Sequence, residues 1–413
     1  MPRSRYYHPD YRQAEVSAIV RALDQGQSAS VIGAPSVGKS NLLRFLDQER
    51  LAASDPNSPW QRYAPLSASQ GPVVAISIDP NALLPALPQN RDDIAAQAWP
   101  GFELLIHRTT ITPQLYPAYH PPHSETPDPD LVERIARLQD RFENAHPDVT
   151  DFEDRLHAHL ALRHLERILD AALSGQAHQG RPIRIAYVLD EFERFLSTMP
   201  NYFFVALRSI RDRFKYRVMF VTFTRNSLPY LIGPRMAAVE PFFELFHDNT
   251  IYLGPFGDDD AWRMIEQLEQ RSVSKDDYAL GLLIRATGGF AGLLRAGFQH
   301  AEALGQIRAE EYKQAVALAA KRLYAEANVR AECATLLRGL NQDEIETLFG
   351  AATGRENLSP GVVRELRHKS LLIEESGGTG LRVMPPVLAA YIQSQPAPPR
   401  ADTPPQPVTL PEA

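Results

Sequence analysis

A glycine-rich stretch near the N-terminus carries residues whose types and spacing can bind phosphate. It reads VIGAPSVGKS and places Gly33, Gly38, Lys39 and Ser40 in the pattern G-x-x-x-x-G-K-S. Lysine is rare in this chain, with six lysines against 37 arginines among the 43 basic residues, so a lysine at this position is unusual. The apolar run SASVI precedes the stretch, and NLLRFLDQER follows it with apolar residues at helical spacing. Both flanks therefore fit a phosphate-binding loop, which stands between a strand and a helix.

This loop offers donors to a nucleoside triphosphate, whose closely spaced negative charges are well solvated by water. Consecutive backbone N–H groups can turn toward one phosphate, and the N-terminus of the following helix adds a partial positive charge. We expect Lys39 to reach the β- and γ-phosphates and the Ser40 hydroxyl to ligate Mg²⁺. The alternative is an ordinary glycine turn between a strand and a helix. The loop residues predicted to bind nucleotide are Gly33, Ala34, Pro35, Ser36, Val37, Gly38, Lys39, Ser40 and Asn41.

A second chemical signal is an apolar run that ends in two acids, IAYVLDE. Asp190 is predicted to hold Mg²⁺, through water, and Glu191 to polarise the attacking water as general base. Alone, this pattern is a weak signal, because many strands end in acids at a surface turn. Together with the glycine-rich loop it predicts Mg-dependent hydrolysis of ATP to ADP and phosphate.

A third apolar run, VMFVTFTRN, ends in Thr224, Arg225 and Asn226. If this strand lies between the two motif strands in a sheet, its tip points at the γ-phosphate. Arg225 is then predicted to sense whether that phosphate is present. The alternative is an ordinary polar strand end.

Short apolar runs and helical segments alternate along the first part of the chain, which is typical of a parallel sheet covered on both faces. We therefore predict an α/β fold, followed by helices alone from 257 to about 325 and then by helices and two short strands up to 394. The predicted strands are 28–32, 73–79, 183–195, 216–226 and 249–256, and the predicted helices of this part include 11–25, 131–145 and 151–174.

Length, composition and charge limit the class of protein. The 413 residues suffice for two or three domains, and the formal charge of −7 argues against a surface coated with basic nucleic-acid-binding residues. The single cysteine, Cys333, cannot form an internal disulfide, which suits a reducing compartment. The first residues lack the apolar core of a signal peptide, and no run approaches the roughly 18 apolar residues of a membrane span. We expect a cytoplasmic protein that does not enter a membrane.

The order of these motifs resembles that of the AAA+-related STAND ATPases, signal-transducing NTPases that include the NACHT and NB-ARC proteins. YRQAEVSAIVRAL is similar to the leading R-x-x-E helix of that family, with Arg12 and Glu15 in place. VTFTRN resembles its strand ending in Thr-Thr-Arg, and VEPFFELFHDNTIYLGPF resembles its SPFFN…LGPL segment. ATGGFAGLLRAGF is similar to the GG-x-P-x-L-L motif of the helical lid, although Ala291 stands where that motif has proline.

The resemblance implies several site roles and a domain plan. It implies that Arg12 lies near the adenine and that Arg295, after the lid motif, contacts the nucleotide. Arg235 stands where AAA+ relatives sometimes place an arginine finger for a neighbouring subunit. The expected plan is a P-loop core with a five-stranded sheet at 1–256, with an irregular and helical insertion at about 107–180, a helical lid at 257–329, a winged helix at 330–394 and a disordered proline-rich tail at 395–413.

Two functions are compatible with these signals. The first is a regulatory switch of the STAND kind, in which bound ATP or ADP sets the state of the chain and hydrolysis resets it. It implies a separate protein partner and is compatible with nucleotide-dependent homo-oligomers. The second is an initiator or loader of the AAA+ kind, whose winged helix reads duplex DNA. A scaffold that binds nucleotide without hydrolysing it is disfavoured by Glu191, an acid that nonhydrolysing relatives tend to lose.

The basic residues of the predicted winged helix decide the ranking of these two functions. Arg364, Arg367, His368 and Lys369 are its candidates for contacting DNA, and the first three can share one helix face. Acids surround them, so 355–382, with five basic and four acidic residues, has a formal charge of only +1. We therefore rank the switch above the DNA-binding initiator.

Overall fold

The computed structural model divides the chain into two compact units. The first comprises Met1–Gly33 and Gly38–Leu253, and the second comprises Ala34–Val37 and Gly254–Ala413. The middle of the glycine-rich loop therefore groups with the second unit, although the residues on either side of it belong to the first. The residues that the structure describes are 8, 10–52, 71, 73–84, 93–115, 129–144, 152–174, 177–178, 181–269, 276–354, 358–374 and 380–396.

The first unit is built on a five-stranded parallel sheet. Its strands are β1 (Ala29–Ile32), β2 (Val73–Ile78), β5 (Arg184–Leu189), β6 (Val218–Thr224) and β7 (Thr250–Tyr252), and β3 (Ala177–His178) and β4 (Arg181–Pro182) form a separate antiparallel ribbon. The order in the sheet is β2-β5-β6-β1-β7, and every pairing is parallel. All residues of β1, β5 and β6 are buried, as expected where helices cover both faces of a parallel sheet. This confirms the predicted α/β fold with a P-loop type of sheet.

Helices connect these strands. They are α1 (Gln13–Asp24), α2 (Lys39–Ala52), α3 (Ile94–Thr110), α4 (Pro129–Asn144), α5 (Phe152–Ser174), α6 (Phe192–Thr198), α7 (Asn201–Arg213), α8 (Leu228–Ile232) and α9 (Met236–Phe243). Single 3₁₀ turns lie at Pro80–Ala82, Gly233–Arg235 and Glu244–Phe246. In α1 the residues at helical spacing, among them Val16, Ile19 and Leu23, are buried, which explains why the sequence pattern predicted this helix.

The helices between β2 and β5 form part of the hydrophobic core. Trp99 and Phe102 of α3 lie in one buried cluster with Ile76 of β2, Leu138 of α4 and Ile168 of α5. Full burial of a large apolar side chain stabilises a fold by about 1.5–3 kcal/mol. The helices α4 and α5, which lie in the segment predicted as an insertion at about 107–180, thus contribute to this core and pack on α3.

Some of the boundaries predicted for this unit were wrong. The strand predicted at 183–195 ends at Leu189, because the chain turns there and continues as α6. The strand predicted at 249–256 is only the three residues of β7. Helix α3 was not predicted, since Pro100 and Gly101 at its centre are signals of a break, yet burial of both of these residues within the packed helix maintains it.

The second unit consists of helices and one short ribbon. Its elements are α10 (Asp258–Glu269), α11 (Asp277–Thr287), α12 (Ala291–Phe298), α13 (Ala301–Leu304), α14 (Tyr312–Tyr324), α15 (Ala327–Arg338), α16 (Gln342–Ala352), α17 (Pro360–His368), β8 (Leu372–Glu374), β9 (Leu381–Val383) and α18 (Pro386–Gln393). The two strands are antiparallel, with Leu372 opposite Val383. The winged-helix assignment of 330–394 and the domain boundaries after 256 and 329 stay predictions, and the predicted tail lies outside the described residues from 397 onward.

A buried ion pair joins α16 to the end of α17. Lys369 Nζ donates to Glu344 Oε1 at 2.5 Å, and the two side chains are 1% and 2% exposed. Glu344 also completes a capping box at the start of α16, because its Oε2 accepts from the Asn341 backbone N at 3.0 Å. Lys369 was one of the candidates for contacting DNA, and this was wrong, because a side chain held inside the unit cannot reach a phosphate backbone.

Across the residues that the structure describes, no helix combines the length and the apolar character needed to cross a bilayer.

Candidate nucleotide site

The glycine-rich loop turns sharply from β1 into α2. Gly33 N donates to Thr224 O of the neighbouring strand at 3.0 Å, and the N–H groups of Asn41 and Leu42 both donate to Gly38 O, at 3.0 and 3.1 Å. Gly38 has a φ of 98°, in the region that glycine adopts without steric cost. The strand, loop and helix that the motif requires are therefore present in this order.

The Lys39 side chain folds back across the loop. Its Nζ donates to the Gly33 carbonyl oxygen at 2.5 Å, which holds the ammonium group beside the first residue of the loop. Because a lysine side chain is a compact cation with three donors, this position places positive charge where the phosphates are expected.

The two predicted acids follow β5 directly. Asp190 N donates to Ile78 O of β2 at 3.1 Å, which continues the parallel pairing by one residue. Glu191 N donates to Asp190 Oδ1 at 2.9 Å, and Glu191 has a left-handed φ of 40° at the start of α6. A left-handed residue with a side chain costs roughly 1–2 kcal/mol, so its surroundings must stabilise this turn.

Phe192 supplies that stabilisation. Its side chain is completely buried, and its ring centroid lies 5.9 Å from that of Phe204 and 6.2 Å from that of Phe242. Aromatic pairs at such distances contribute about 0.5–1.5 kcal/mol each beyond the burial of their area. With Phe192 anchored in the core, the preceding Glu191 side chain is left exposed at the carboxyl end of the sheet.

The surroundings of Asp190 raise the pKa of its carboxyl above the ordinary value. Burial is the largest cause, and the negative charges of Glu191 and Asp79 act in the same direction. The Glu191 backbone N–H and the positive charge of Lys39 oppose the shift, which also shows that Lys39 and Asp190 lie close enough to interact. A cation beside this carboxylate would favour its charged form.

The residues present fit a magnesium ion. Ser40 offers an exposed hydroxyl at the start of α2 and Asp190 a carboxylate, and Mg²⁺ prefers such oxygen ligands. Within the described residues, no group of three or more histidines, cysteines, aspartates or glutamates could hold a metal ion. This is no obstacle for Mg²⁺, which is usually held by one or two protein oxygens together with phosphate and water.

The strand that ends in Thr224 lies between the two motif strands. Ile32 of β1 pairs with Thr224, and Leu189 of β5 pairs with Thr222, so the three strands end at the same edge. Arg225 is exposed there, and its backbone N donates to Glu193 Oε1. The strand thus has the position, between the two motif strands, on which the prediction of a γ-phosphate sensor depended. The sensing role of Arg225 itself stays a prediction.

The two arginines predicted from the resemblance belong to different units. Arg12 is buried, has a left-handed φ of 46° and pairs through Nη1 with Glu15 Oε1 at 3.1 Å, which links the start of α1 to its first turn. Arg295 is exposed on α12 of the second unit. Their proposed contacts with the adenine and the nucleotide stay predictions.

The surroundings of Arg235 differ from those of an arginine finger, which must reach the nucleotide of a neighbouring subunit. Its guanidinium donates to Asn201 Oδ1 at 2.7 Å and to the backbone oxygens of Leu196 and Met199 at 2.5 and 3.1 Å. It also lies 6.0 Å from the centre of the Phe204 ring. These contacts connect α6 to α7 within the first unit and favour a structural role.

Two acids near the loop and the acidic turn were not predicted. Asp79 follows β2 just as Asp190 follows β5, and Ile78 pairs with Leu189, so the register of adjacent strands was the missing signal. Glu332 of α15 accepts a hydrogen bond from the Ser36 hydroxyl, 296 residues away in the chain. No local pattern in the sequence connects residues so far apart.

Several solved structures follow a similar course over nearly the whole chain. A Walker-type ATPase of Pyrococcus abyssi has 13% identity and a TM-score of 0.47, with 95% of this chain and 97% of that chain covered. An Orc1 protein of Aeropyrum pernix in complex with DNA has 14% identity and a TM-score of 0.37, with 94% and 93% covered. Cdc6p of Pyrobaculum aerophilum has 13% identity and a TM-score of 0.38, with 95% and 96% covered.

These likenesses are too distant to assign an activity or a partner to this chain. The chain matches no protein-family model and no curated protein.

Asp190→Asn is expected to stabilise the nucleotide-free protein at neutral pH. A carboxyl whose pKa is raised by folding binds more protons in the folded than in the unfolded state, so it destabilises the fold once the pH exceeds its ordinary value. The amide carries no charge, and its oxygen can still accept from Glu191 N. The free energy of unfolding, measured by urea denaturation at pH 7, should exceed that of the wild type, and the difference should vanish as the pH falls below about 4.

Asp248→Asn is the matched control, because this aspartate is exposed in the same unit and its substitution should leave the free energy of unfolding nearly unchanged. If the free energy of unfolding at pH 7 is lower in Asp190→Asn than in the wild type, the expectation is wrong. Burial would then not be the dominant influence on the Asp190 carboxylate.

Proposed function

We propose that this chain is a Mg²⁺-dependent ATPase that works as a regulatory switch of the STAND and AAA+ kind. One observation carries the proposal: β6 lies between β1 and β5, which brings the G-x-x-x-x-G-K-S loop and the Asp190–Glu191 turn to one edge of the sheet. The effect of the Lys39 charge on the pKa of Asp190 supports this proximity. Phosphates at the loop would then lie beside the acids that act on them.

Each residue of the site has a part in the proposed reaction. The loop N–H groups and Lys39 bind the phosphates, and the Ser40 hydroxyl and the Asp190 carboxylate would hold Mg²⁺, which supplies positive charge that stabilises the transferring phosphoryl group. Glu191 accepts a proton from the water that attacks the γ-phosphorus, while the bond to the β–γ bridging oxygen breaks and ADP leaves. Its exposed side chain, following an anchored Phe192, is suited to orienting that water.

The position of the loop within the chain supports a switch. Ala34–Val37 are residues of the phosphate-binding loop, and they group with the second unit. If nucleotide binding changes the conformation of these residues, it changes the conformation of the second unit. Slow hydrolysis would let the ATP state persist until it is reset. The resemblance to STAND ATPases supports a protein partner that reads this state and self-association of the chain with nucleotide bound.

A DNA-binding initiator is the second candidate. Arg364, Arg367 and His368 are exposed on α17, at spacings that let them share one face, and this observation favours it. Against it, Arg367 Nη1 pairs with Glu374 Oε1 at 2.6 Å, and Lys369 is buried against Glu344. The cationic surface available to DNA is therefore smaller than the sequence suggests.

Lys39→Ala is expected to abolish binding of Mg·ATP and Mg·ADP, because the variant lacks the cation that the loop positions for the phosphates. Isothermal titration calorimetry of both nucleotides measures this directly. Lys215→Ala is the control, since Lys215 is exposed and precedes β6, at the opposite edge of the sheet. Undiminished affinity in Lys39→Ala would refute the proposed site.

Glu191→Gln is expected to keep the affinity for Mg·ATP within a few-fold, while the rate of phosphate release falls by roughly 10²–10⁴, the usual contribution of a positioned acid or base. The amide preserves the shape of the turn but cannot accept the proton. Glu240→Gln, at an exposed acid of α9, should hydrolyse ATP like the wild type. The same result for Glu191→Gln would mean that another group is the base.

Duplex DNA is expected to bind weakly, with or without nucleotide. A fluorescence anisotropy titration at two salt concentrations, with ATP and with ADP, tests this, because phosphate contacts make affinity fall steeply with salt. Tight, salt-sensitive binding that collapses in Arg364→Ala/Arg367→Ala would reverse the ranking of the two functions.

A further inference from the structure

Ser36, in the middle of the glycine-rich loop, adopts a backbone conformation that disfavours side chains. Its φ is 63°, in the left-handed region that glycine enters freely and other residues enter only at a cost. In a turn, a left-handed residue can make successive backbone N–H groups converge into a concave anion-binding nest. The conformation that is costly for serine is therefore of a kind that binds phosphate.

Two contacts within the second unit hold Ser36 in place. Its hydroxyl Oγ donates to Glu332 Oε2 of α15 at 2.6 Å, and its carbonyl oxygen accepts from Gly292 N of α12 at 3.0 Å. The first bond has an ionised acceptor, and hydrogen bonds of this kind are shorter and about twice as strong as neutral ones. Glycine at position 36 could not make it.

The loop approaches these helices so closely that a Cβ atom at either of two glycines would displace a neighbouring side chain. A Cβ atom at Gly292 would lie 2.6 Å from Glu332 Oε2 and 2.8 Å from Ser36 Oγ. A Cβ atom at Gly339, which follows α15, would lie 2.0 Å from Pro35 Cγ. The contact between Ser36 and Glu332 therefore lies in a closely packed part of the unit, where Gly292 and Gly339 leave room for the loop.

We infer that Glu332 is a positioning residue for nucleotide binding, and that its carboxylate holds Ser36 in the left-handed conformation that forms the anion nest. The inference rests on the proposed function, because it assumes that the loop binds phosphate. Glu332 acts through Ser36 and need not contact the nucleotide. Nucleotide affinity would thereby depend on α15, a helix distant in sequence from the loop.

A cycle of variants at the two positions tests this. Ser36→Ala and Glu332→Ala should each weaken Mg·ADP binding by roughly 5- to 30-fold, the factor that corresponds to the cost of the left-handed region. Ser36→Ala/Glu332→Ala should be no weaker than either single variant, since both remove the same bond. Ser36→Gly and Ser36→Gly/Glu332→Ala should bind like the wild type within a few-fold, because glycine adopts the conformation unaided.

Restoration by glycine is the result that a merely structural role of Glu332 would not produce. If Glu332 only stabilised the second unit, Ser36→Gly/Glu332→Ala would bind as weakly as Glu332→Ala, and the inference would be wrong. Tighter binding in Glu332→Ala would also overturn it, since the carboxylate would then act by repelling phosphate. Glu310→Ala, at an exposed acid of the same unit, controls for the loss of charge.

Calorimetry with Mg·ADP on the full chain gives the affinities, and thermal melting without nucleotide shows which variants are folded. If Glu332→Ala does not fold, Glu332→Gln replaces it, because its amide oxygen can still accept from Ser36. The variants should then have the same order of Mg·ADP affinities, with smaller losses of affinity. A wild type that fails to bind any nucleotide would refute the proposed function and this inference together. A wild type that binds, with unchanged affinity in Ser36→Ala and Glu332→Ala, would refute the inference alone.

Discussion

The pairing of β6 with β1 on one side and β5 on the other is the constraint on which the site depends. Parallel strands end at a common edge, so the register Ile32 with Thr224 and Leu189 with Thr222 fixes which residues can meet. The loop after β1 and the acids after β5 are 150 or more residues apart in the chain and would be unrelated without this order. Hydrophobic burial of all three strands maintains it.

The residues placed at that edge are costly to the fold. Asp190 is a partly buried carboxylate with acidic neighbours, and Glu191 and Ser36 both have positive φ values. Each is compensated nearby: Lys39 opposes the charge at Asp190, Phe192 anchors the turn that carries Glu191, and Glu332 bonds to Ser36. Such a concentration of strained and desolvated groups is typical of sites that are organised for a ligand.

The sequence predicted those features that depend on neighbours along the chain. The phosphate-binding pattern, the acids after an apolar strand and the amphipathic α1 are local signals, and the strands and helices that carry them are present, although β5 ends at Leu189. Helix α3 was missed because Pro100 and Gly101 are read as a break, whereas the packing of Trp99 and Phe102 into the core determines the outcome. Burial overrode the local signal.

Contacts between distant residues could not be predicted in the same way. The composition of α17 suggested that Lys369 is a surface cation, but its burial depends on Glu344 reaching the same point from another helix. The hydrogen bond from Ser36 to Glu332 is a similar case, since a serine and a glutamate have no pattern that relates them. Arg235 was a candidate because of its position after a strand, and its actual partners include backbone oxygens at the end of α6.

The loop and the acidic turn form one nucleotide site in this proposal, and a crystal structure grown with Mg²⁺ and a nonhydrolysable ATP analogue can show whether they do. We predict phosphate oxygens within hydrogen-bond distance of the loop N–H groups, Lys39 Nζ moved from Gly33 O to the phosphates, and Mg²⁺ beside Ser40 and Asp190. An analogue bound elsewhere, or bound while Lys39 still donates to Gly33 O, would contradict it.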